Sequence, residues 1–356
     1  MPKTYNNLYA ETASFENLLQ AYFDARKKKR YKPEILEFYD QYERRLMELH
    51  HDLENKTWES GTYRNFLSRT EVKRRIINAP TFRDRIVQMG IYRVVNPLFD
   101  QKYIFDSYAC RIGRGTHDAA DRTQDFLKRA ARKFDRVYVL QGDISDYYGS
   151  VWKPYLMEKI ARTIRDRDIL NLLEKIYYGF NNEDRGIPIG AVTSQMGANI
   201  NLDTLDHFVK ECIGAKYYVR YMDDFVIICG SKEELWSMLE DIKWLVETTL
   251  HLKLNPKTRI YPASRGVDFV GYRIWKTHKL PRKRDIKAAK IRFKDLSHKF
   301  KHGKATLKDV KPRVDSFLGY VKHCNAHRTT ISTLKWLKLT KGDQYNEDWL
   351  YTDNEC

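Results

Sequence analysis

Two adjacent carboxylates, Asp223-Asp224, stand between two short apolar runs, residues 217–222 and 225–229. An Asp pair is ordinarily at home in a solvated hairpin turn. Here no Gly follows to supply the positive φ of a tight two-residue turn, and the flanks are too apolar to be exposed on both faces. Neighbouring carboxylates in a partly buried place repel each other and call for a cation. Such oxygen ligands suit Mg2+, which is normally held by one or two carboxylates and substrate phosphates. A β-prone run, 137–141, stops at Gly142-Asp143 and makes Asp143 the natural third ligand. Taken alone, a strand-end Asp would do no more than start a turn.

Charge narrows the partner. The chain of 356 residues carries 64 Lys+Arg against 47 Asp+Glu, a net +17. From Arg282 to Arg313 there are thirteen Lys and Arg against three Asp, while Ile286, Ile291, Phe293, Leu296 and Phe300 recur at roughly helical spacing, so one face is expected to pack and the other to form a cationic stripe. A second cluster places six cations in the seven residues 26–32. Two such runs on a basic chain point to a polyanion, most simply nucleic acid. The final residues, 341–356, are acidic and read as a loosely held tail. No apolar run approaches the length of a membrane span, the start is polar, and the five cysteines are scattered without a CxxC pair. A soluble, unexported, cytoplasmic protein with reduced thiols is expected, without a membrane partner.

The chain is long enough for a sizeable core in two or three units. A helical pattern follows Pro33, with one apolar face from Ile35 to Leu53. β-prone segments fill 58–80, and helices are expected over 82–99, 117–134, 155–178 and 198–213, with a loop at 181–194. Ser231 and Glu234 form a capping-box pattern that opens a helix running to Leu250. Residues 252–254 and 268–275 are further candidate strands. Strands and helices mix without βαβ regularity, so the fold class is α+β.

Tyr221-Met222-Asp223-Asp224 resembles the YxDD signature of reverse transcriptases, and Asp143-Ile144-Ser145-Asp146-Tyr147-Tyr148 their strand-end motif some eighty residues earlier. Further motifs follow in the family's order. Lys73 and Arg75 ahead of Pro80, with residues 84–88 behind it, resemble the grip on the incoming triphosphate. Residues 108–115 resemble the template-side segment, and Gly190 with Ser194 the loop and helix under the nucleotide. Leu254-Asn255-Pro256-Lys257 resembles the motif whose lysine lies near the leaving group, Phe269-Val270-Gly271-Tyr272 the primer grip, and residues 317–320 part of the thumb.

The resemblance implies a right-hand polymerase fold. Residues 1–57 would be a helical N-terminal extension, 58–135 fingers, 136–275 palm with inserted fingers helices at about 152–185, and 276–340 a basic helical thumb. It implies RNA-directed DNA synthesis by two-metal phosphoryl transfer. Two Mg2+, which Mn2+ can replace, would be bound by Asp143, Asp223, Asp224 and the Ile144 carbonyl. Lys73 and Arg75 would face the triphosphate and Lys257 the pyrophosphate. Tyr148, five residues after Asp143, would exclude a ribose 2′-hydroxyl. The segment Ile189-Gly190-Ala191-Val192-Thr193-Ser194-Gln195 stands where most reverse transcriptases carry QGxxxSP. With Ile189 and Gln195, this IGxxxSQ form resembles the diversity-generating retroelement enzymes, as do the short length and lack of room for RNase H, integrase or HNH domains. That subfamily implies a bacterial or phage system copying a template-repeat RNA into cDNA with errors at adenines. The implied partners are template RNA, a primer or cDNA strand, dNTPs and a small, basic, helical, oligomeric accessory protein. The alternatives are another bacterial reverse transcriptase, retron-like or of phage defence, and a non-catalytic RNA-binding protein with the polymerase fold.

Overall fold

The computed structural model describes residues 3–68 and 76–340. Lys73, Arg75 and the acidic tail therefore lie outside the described residues. Strands β1 (Arg64–Leu67) and β2 (Ile76–Ala79) pair as an antiparallel ribbon. Strands β3 (Tyr138–Asp143), β4 (Tyr217–Tyr221), β5 (Asp224–Cys229) and β6 (Arg259–Pro262) form a central antiparallel sheet in the order β4-β5-β3-β6. A small sheet follows: β7 (Val267–Phe269), β8 (Tyr272–Ile274) and β9 (Lys279–Pro281).

Strands β4 and β5 and the middle of β3 are largely apolar because both faces of the sheet are covered there. Side chains alternate along a strand, and β5 divides accordingly. Phe225, Ile227 and Cys229 enter a core with helices Phe82–Asp100, Val192–His207 and Lys232–Thr248, while Val226 and Ile228 enter a second core with helix Thr116–Lys133 and strands β7 and β8. A third, smaller core joins helices Lys283–Lys301 and Leu307–Val321 through Ile286, Ala289, Phe293, Phe317 and Val321. The observed class is α+β.

Several elements differ from expectation. The apolar face from Ile35 to Leu53 belongs to two helices, Pro33–Asp40 and Tyr42–Glu54, broken at Gln41, whose φ of −133° and ψ of 41° are not helical. The break sets Phe38 edge-on to Phe82, with centroids 5.1 Å apart, while Leu46, Leu49 and Leu53 remain buried. Residues 155–178 likewise form two helices, Lys153–Ala161 and Arg167–Tyr178. The helix expected from 198 begins at Val192, so Ser194 and Gln195 lie in its first turn and not in a loop. Residues 252–254 contribute only an isolated bridge, Leu254 to Ile144.

Ser231 caps its helix by accepting from the Glu234 N–H (3.1 Å), but the Glu234 carboxylate takes the Cys229 thiol at 2.8 Å and does not close a capping box. In the basic helix, Ile286, Phe293 and Leu296 are buried as expected, whereas Ile291 points outward at 60% exposure and Ala289 takes its place. Residues 268–275 form a hairpin whose Val270-Gly271 turn has both φ values positive, 43° and 94°, as a tight two-residue turn between right-twisted strands requires.

Candidate active site

The carboxylates gather at one end of the central sheet. Asp143 ends β3 and Asp224 opens β5, and the two are directly opposed in the antiparallel register. Opposed residues project to the same face, here the face of Val139 and Val226. Asp223 lies beside them in the two-residue turn between β4 and β5, where Tyr221 pairs with Asp224. The turn is tight after all, and the left-handed position falls one residue before the Asp pair, on Met222 with φ 54°. A bulky non-glycine residue there is strained and persists only where its surroundings hold it.

Arg220 is what holds it. Its guanidinium donates to the Met222 carbonyl at 3.0 Å and to Ser107 Oγ at 3.0 Å, and it grips Asp206 through two bonds of 2.7 and 2.6 Å. Both charged side chains are 0% exposed, and Tyr218 donates its hydroxyl to Asp206 at 2.7 Å. Reading the sequence by periodicity passes over Arg220, because it falls within an apolar run. A cation inside such a run has to be paired, and that is the available signal.

A second overlooked residue is Asn255. Its side-chain amide donates to Asp143 Oδ2 at 2.7 Å, and its backbone N–H donates to the Asp143 carbonyl, also at 2.7 Å. Of the motif Leu254-Asn255-Pro256-Lys257 it is thus Asn255 that touches a carboxylate. Lys257 is exposed, and its N–H donates to Asn255 Oδ1 at 3.0 Å.

The remaining expected residues are distributed around this point. Ile144 is buried and bridges Leu254. Tyr148 is half-buried, with its hydroxyl 3.8 Å from Met222 Sδ, so the ring reaches the carboxylate turn. Ile189 docks on β2: its carbonyl accepts from the Asn78 N–H at 2.9 Å, and its own N–H donates to Asn78 Oδ1 at 3.4 Å. Gly190 is exposed with φ 113°, Gln195 is half-buried, and Ser194 is fully buried with no partner for its hydroxyl among the described residues.

Residues 67–274, more than half of the chain, match the family model described as reverse transcriptase (RNA-dependent DNA polymerase). The chain belongs to the reverse transcriptase family. As a reverse transcriptase relative it is 27% identical over 251 residues to the protein YkfC of Escherichia coli K12, covering 59% of this chain and 66% of that one. It is 23% identical over 273 residues to the group II intron-encoded protein LtrA of Lactococcus lactis, covering 57% of this chain and 44% of that one. The chain thus spans less than two thirds of each. Among solved structures, apo telomerase from Candida tropicalis aligns with a TM-score of 0.48 at 13% identity, over 79% of this chain and 60% of that one.

In this reverse transcriptase-family site the electrostatics are unfavourable without a cation. Burial, then the charges of Asp223 and Asp143, push Asp224 up to about 7, while Arg282 pulls it down. Hard oxygen donors crowded to that degree fit a divalent ion. Among the described residues no three His, Cys, Asp or Glu side chains enclose an ion by themselves, so phosphate and water oxygens would complete its shell.

The sign of the shift gives a prediction. A carboxyl whose folded pKa is raised binds its proton more tightly in the folded state, so stability is lost as pH rises from its unfolded value through about 7. Asp224→Asn removes that penalty. Melts without divalent metal are expected to show the variant more stable than wild type by several degrees near pH 8, with a much smaller gap near pH 5. Equal gaps at the two pH values would remove Asp224 as the strained group.

Proposed function

We propose that the protein is an RNA-directed DNA polymerase of a diversity-generating retroelement, copying a template-repeat RNA into cDNA with errors at adenines. The observation that carries the polymerase reading is the meeting of Asp143, Asp223 and Asp224 at one sheet end. Two Mg2+, or Mn2+ in their place, would be held by these carboxylates and the Ile144 carbonyl. When bound they would supply charge stabilisation for the attacking and leaving oxygens of in-line phosphoryl transfer. Asn255 keeps Asp143 oriented, and Arg220 keeps the turn in place. Tyr148 walls the sugar side and favours dNTPs. Lys257, Lys73 and Arg75 supply positive charge for the triphosphate. In this reading 58–135 act as fingers, 136–275 as palm and 276–340 as a thumb over the primer–template duplex. The N-terminal extension, 1–57, and the thumb offer surfaces to a small basic accessory protein.

The finer assignment is supported by Ile189. Most relatives have Gln there, whose amide can hydrogen-bond near the nascent base pair, and a site that loses such a bond discriminates less. Ile189→Gln is expected to lower misincorporation opposite template adenine more than opposite other bases, read by deep sequencing of cDNA from one primed RNA. Identical error spectra would remove Ile189 from the fidelity argument. Likeness to YkfC and LtrA favours a second reading, another bacterial or intron-type reverse transcriptase. Accurate copying of adenines by the wild type would select it. No extension at all in Mg2+ would leave only an RNA-binding protein.

A further inference from the structure

At the end of the central sheet remote from the carboxylates lies a cleft of about 550 Å3, a size typical of ligand sites. Its floor is apolar, built from residues such as Leu127, Phe134, Val137 and Pro262. Trp275 forms a wall and is fixed there. Its indole N–H donates to the Ser264 carbonyl at 3.1 Å, and His278 stacks on it with centroids 4.6 Å apart at 14°. Gly266, at φ 76°, leaves the space the ring fills, since a Cβ there would collide with the indole at 2.5 Å. Strand β3 enters beside the cleft at Tyr138 and ends at Asp143, five residues or about 17 Å away.

Around this aromatic slot stand exposed cations. Arg136 and Lys276 line it, with Asp135 the one carboxylate among the described lining residues. Lys133, Arg265 and Arg273 adjoin, the Arg273 guanidinium 5.6 Å from the Trp275 ring centre. Among the described residues none of these five forms an ion pair; the Arg273 guanidinium donates to the Arg265 carbonyl at 3.0 and 2.6 Å. Like charges gathered around an apolar slot raise the local positive potential and attract an anion. A small anion would not need the aromatic wall, and an apolar ligand would not need the cations. A strand that presents flat bases and a phosphate at each step uses both.

We propose that this cleft binds a single-stranded segment of RNA outside the stretch being copied, with a base against Trp275 and phosphates on Arg136 and Lys276. The proposal rests on the polymerase reading for the choice of RNA. The distance from Asp143 places the segment upstream or downstream of the reaction, so that it holds the template molecule and leaves catalysis untouched.

The test compares wild type with Arg136→Gln/Lys276→Gln on two probes. One is a long unstructured pyrimidine RNA with a primer annealed at one end, and the other a short primed RNA that ends near the active site. For the double variant, affinity for the long RNA is expected to fall about tenfold, with the slope of log affinity against log salt shallower by roughly 1.4, about 0.7 for each of the two phosphates no longer neutralised. Extension of the short substrate should be unchanged, and ultraviolet crosslinking of the long RNA to the peptide containing Trp275 should fall about tenfold at RNA concentrations below the Kd. Long-RNA affinity within twofold of wild type with an unchanged slope overturns the proposal. So does an equal loss on both probes, which would put the two cations at the reaction itself. Equal competition by the DNA version of the long strand overturns the assignment to RNA. Failure of wild type to extend the short substrate tells against the polymerase reading alone, because binding and crosslinking are read without synthesis.

Discussion

Asp223→Asn and Asp143→Asn are each expected to reduce DNA synthesis by on the order of a thousandfold or more, the several kcal/mol that a metal-bound carboxylate contributes to transition-state stabilisation. The two side chains differ from Asn by a charge and hardly at all in volume. Fold and RNA binding should therefore survive, checked by circular dichroism and by binding of primed RNA in the same preparations. For Asp143→Asn the new amide oxygen can still accept from the Asn255 amide, and the Asn255 N–H still donates to the carbonyl of residue 143, so the strand end keeps its position. Extension within tenfold of wild type in saturating Mg2+ would sink the assignment of these residues.

The second large effect belongs to a residue that touches no substrate. Asp206→Ala leaves Arg220 charged and fully enclosed without its partner, and breaking a buried pair on one side costs about 3–5 kcal/mol. A fall in thermal midpoint of roughly 5 °C is expected for a chain of this size. Replacing both residues, as Asp206→Leu/Arg220→Met, removes the stranded charge and should recover much of the stability. Activity should stay low, because nothing then holds the Met222 carbonyl. A double variant as active as wild type would show that the turn needs no such anchor. A single variant that melts with wild type would show that the pair does not carry the fold.

That Asp143 would lie near the Asp223-Asp224 pair was legible because an Asp that ends an apolar run has few places to go, although its register opposite Asp224 was not, and the α+β class followed from runs of both periods. What was not legible depends on approach through space. Asn255 meets Asp143 across 112 positions, and Arg220 meets Ser107 across 113; neither separation leaves a local pattern. A left-handed turn position ordinarily calls for glycine. Here it is made by methionine because an arginine two residues earlier supplies the missing restraint, a tertiary effect overriding turn propensity. The break at Gln41 has no proline or glycine to announce it. Spacing alone turns Ile291 inward, whereas Ala289, small enough for the close approach of two helices, takes the contact. Lys73 and Arg75, read from motif order, lie outside the described residues.

One contact beneath the carboxylates bears on how such a site handles metal over repeated cycles. Gly142 lies opposite Phe225, and a Cβ on Gly142 would collide with the phenyl ring. The ring fills the space left by the absent side chain one position from Asp143 and one from Asp224. The spacing of the two strands at Asp143 and Asp224 is therefore set by close contact on the opposite face of the sheet. An ion entering such a frame would not need to organise the two strand ends, and an ion leaving it would not release them.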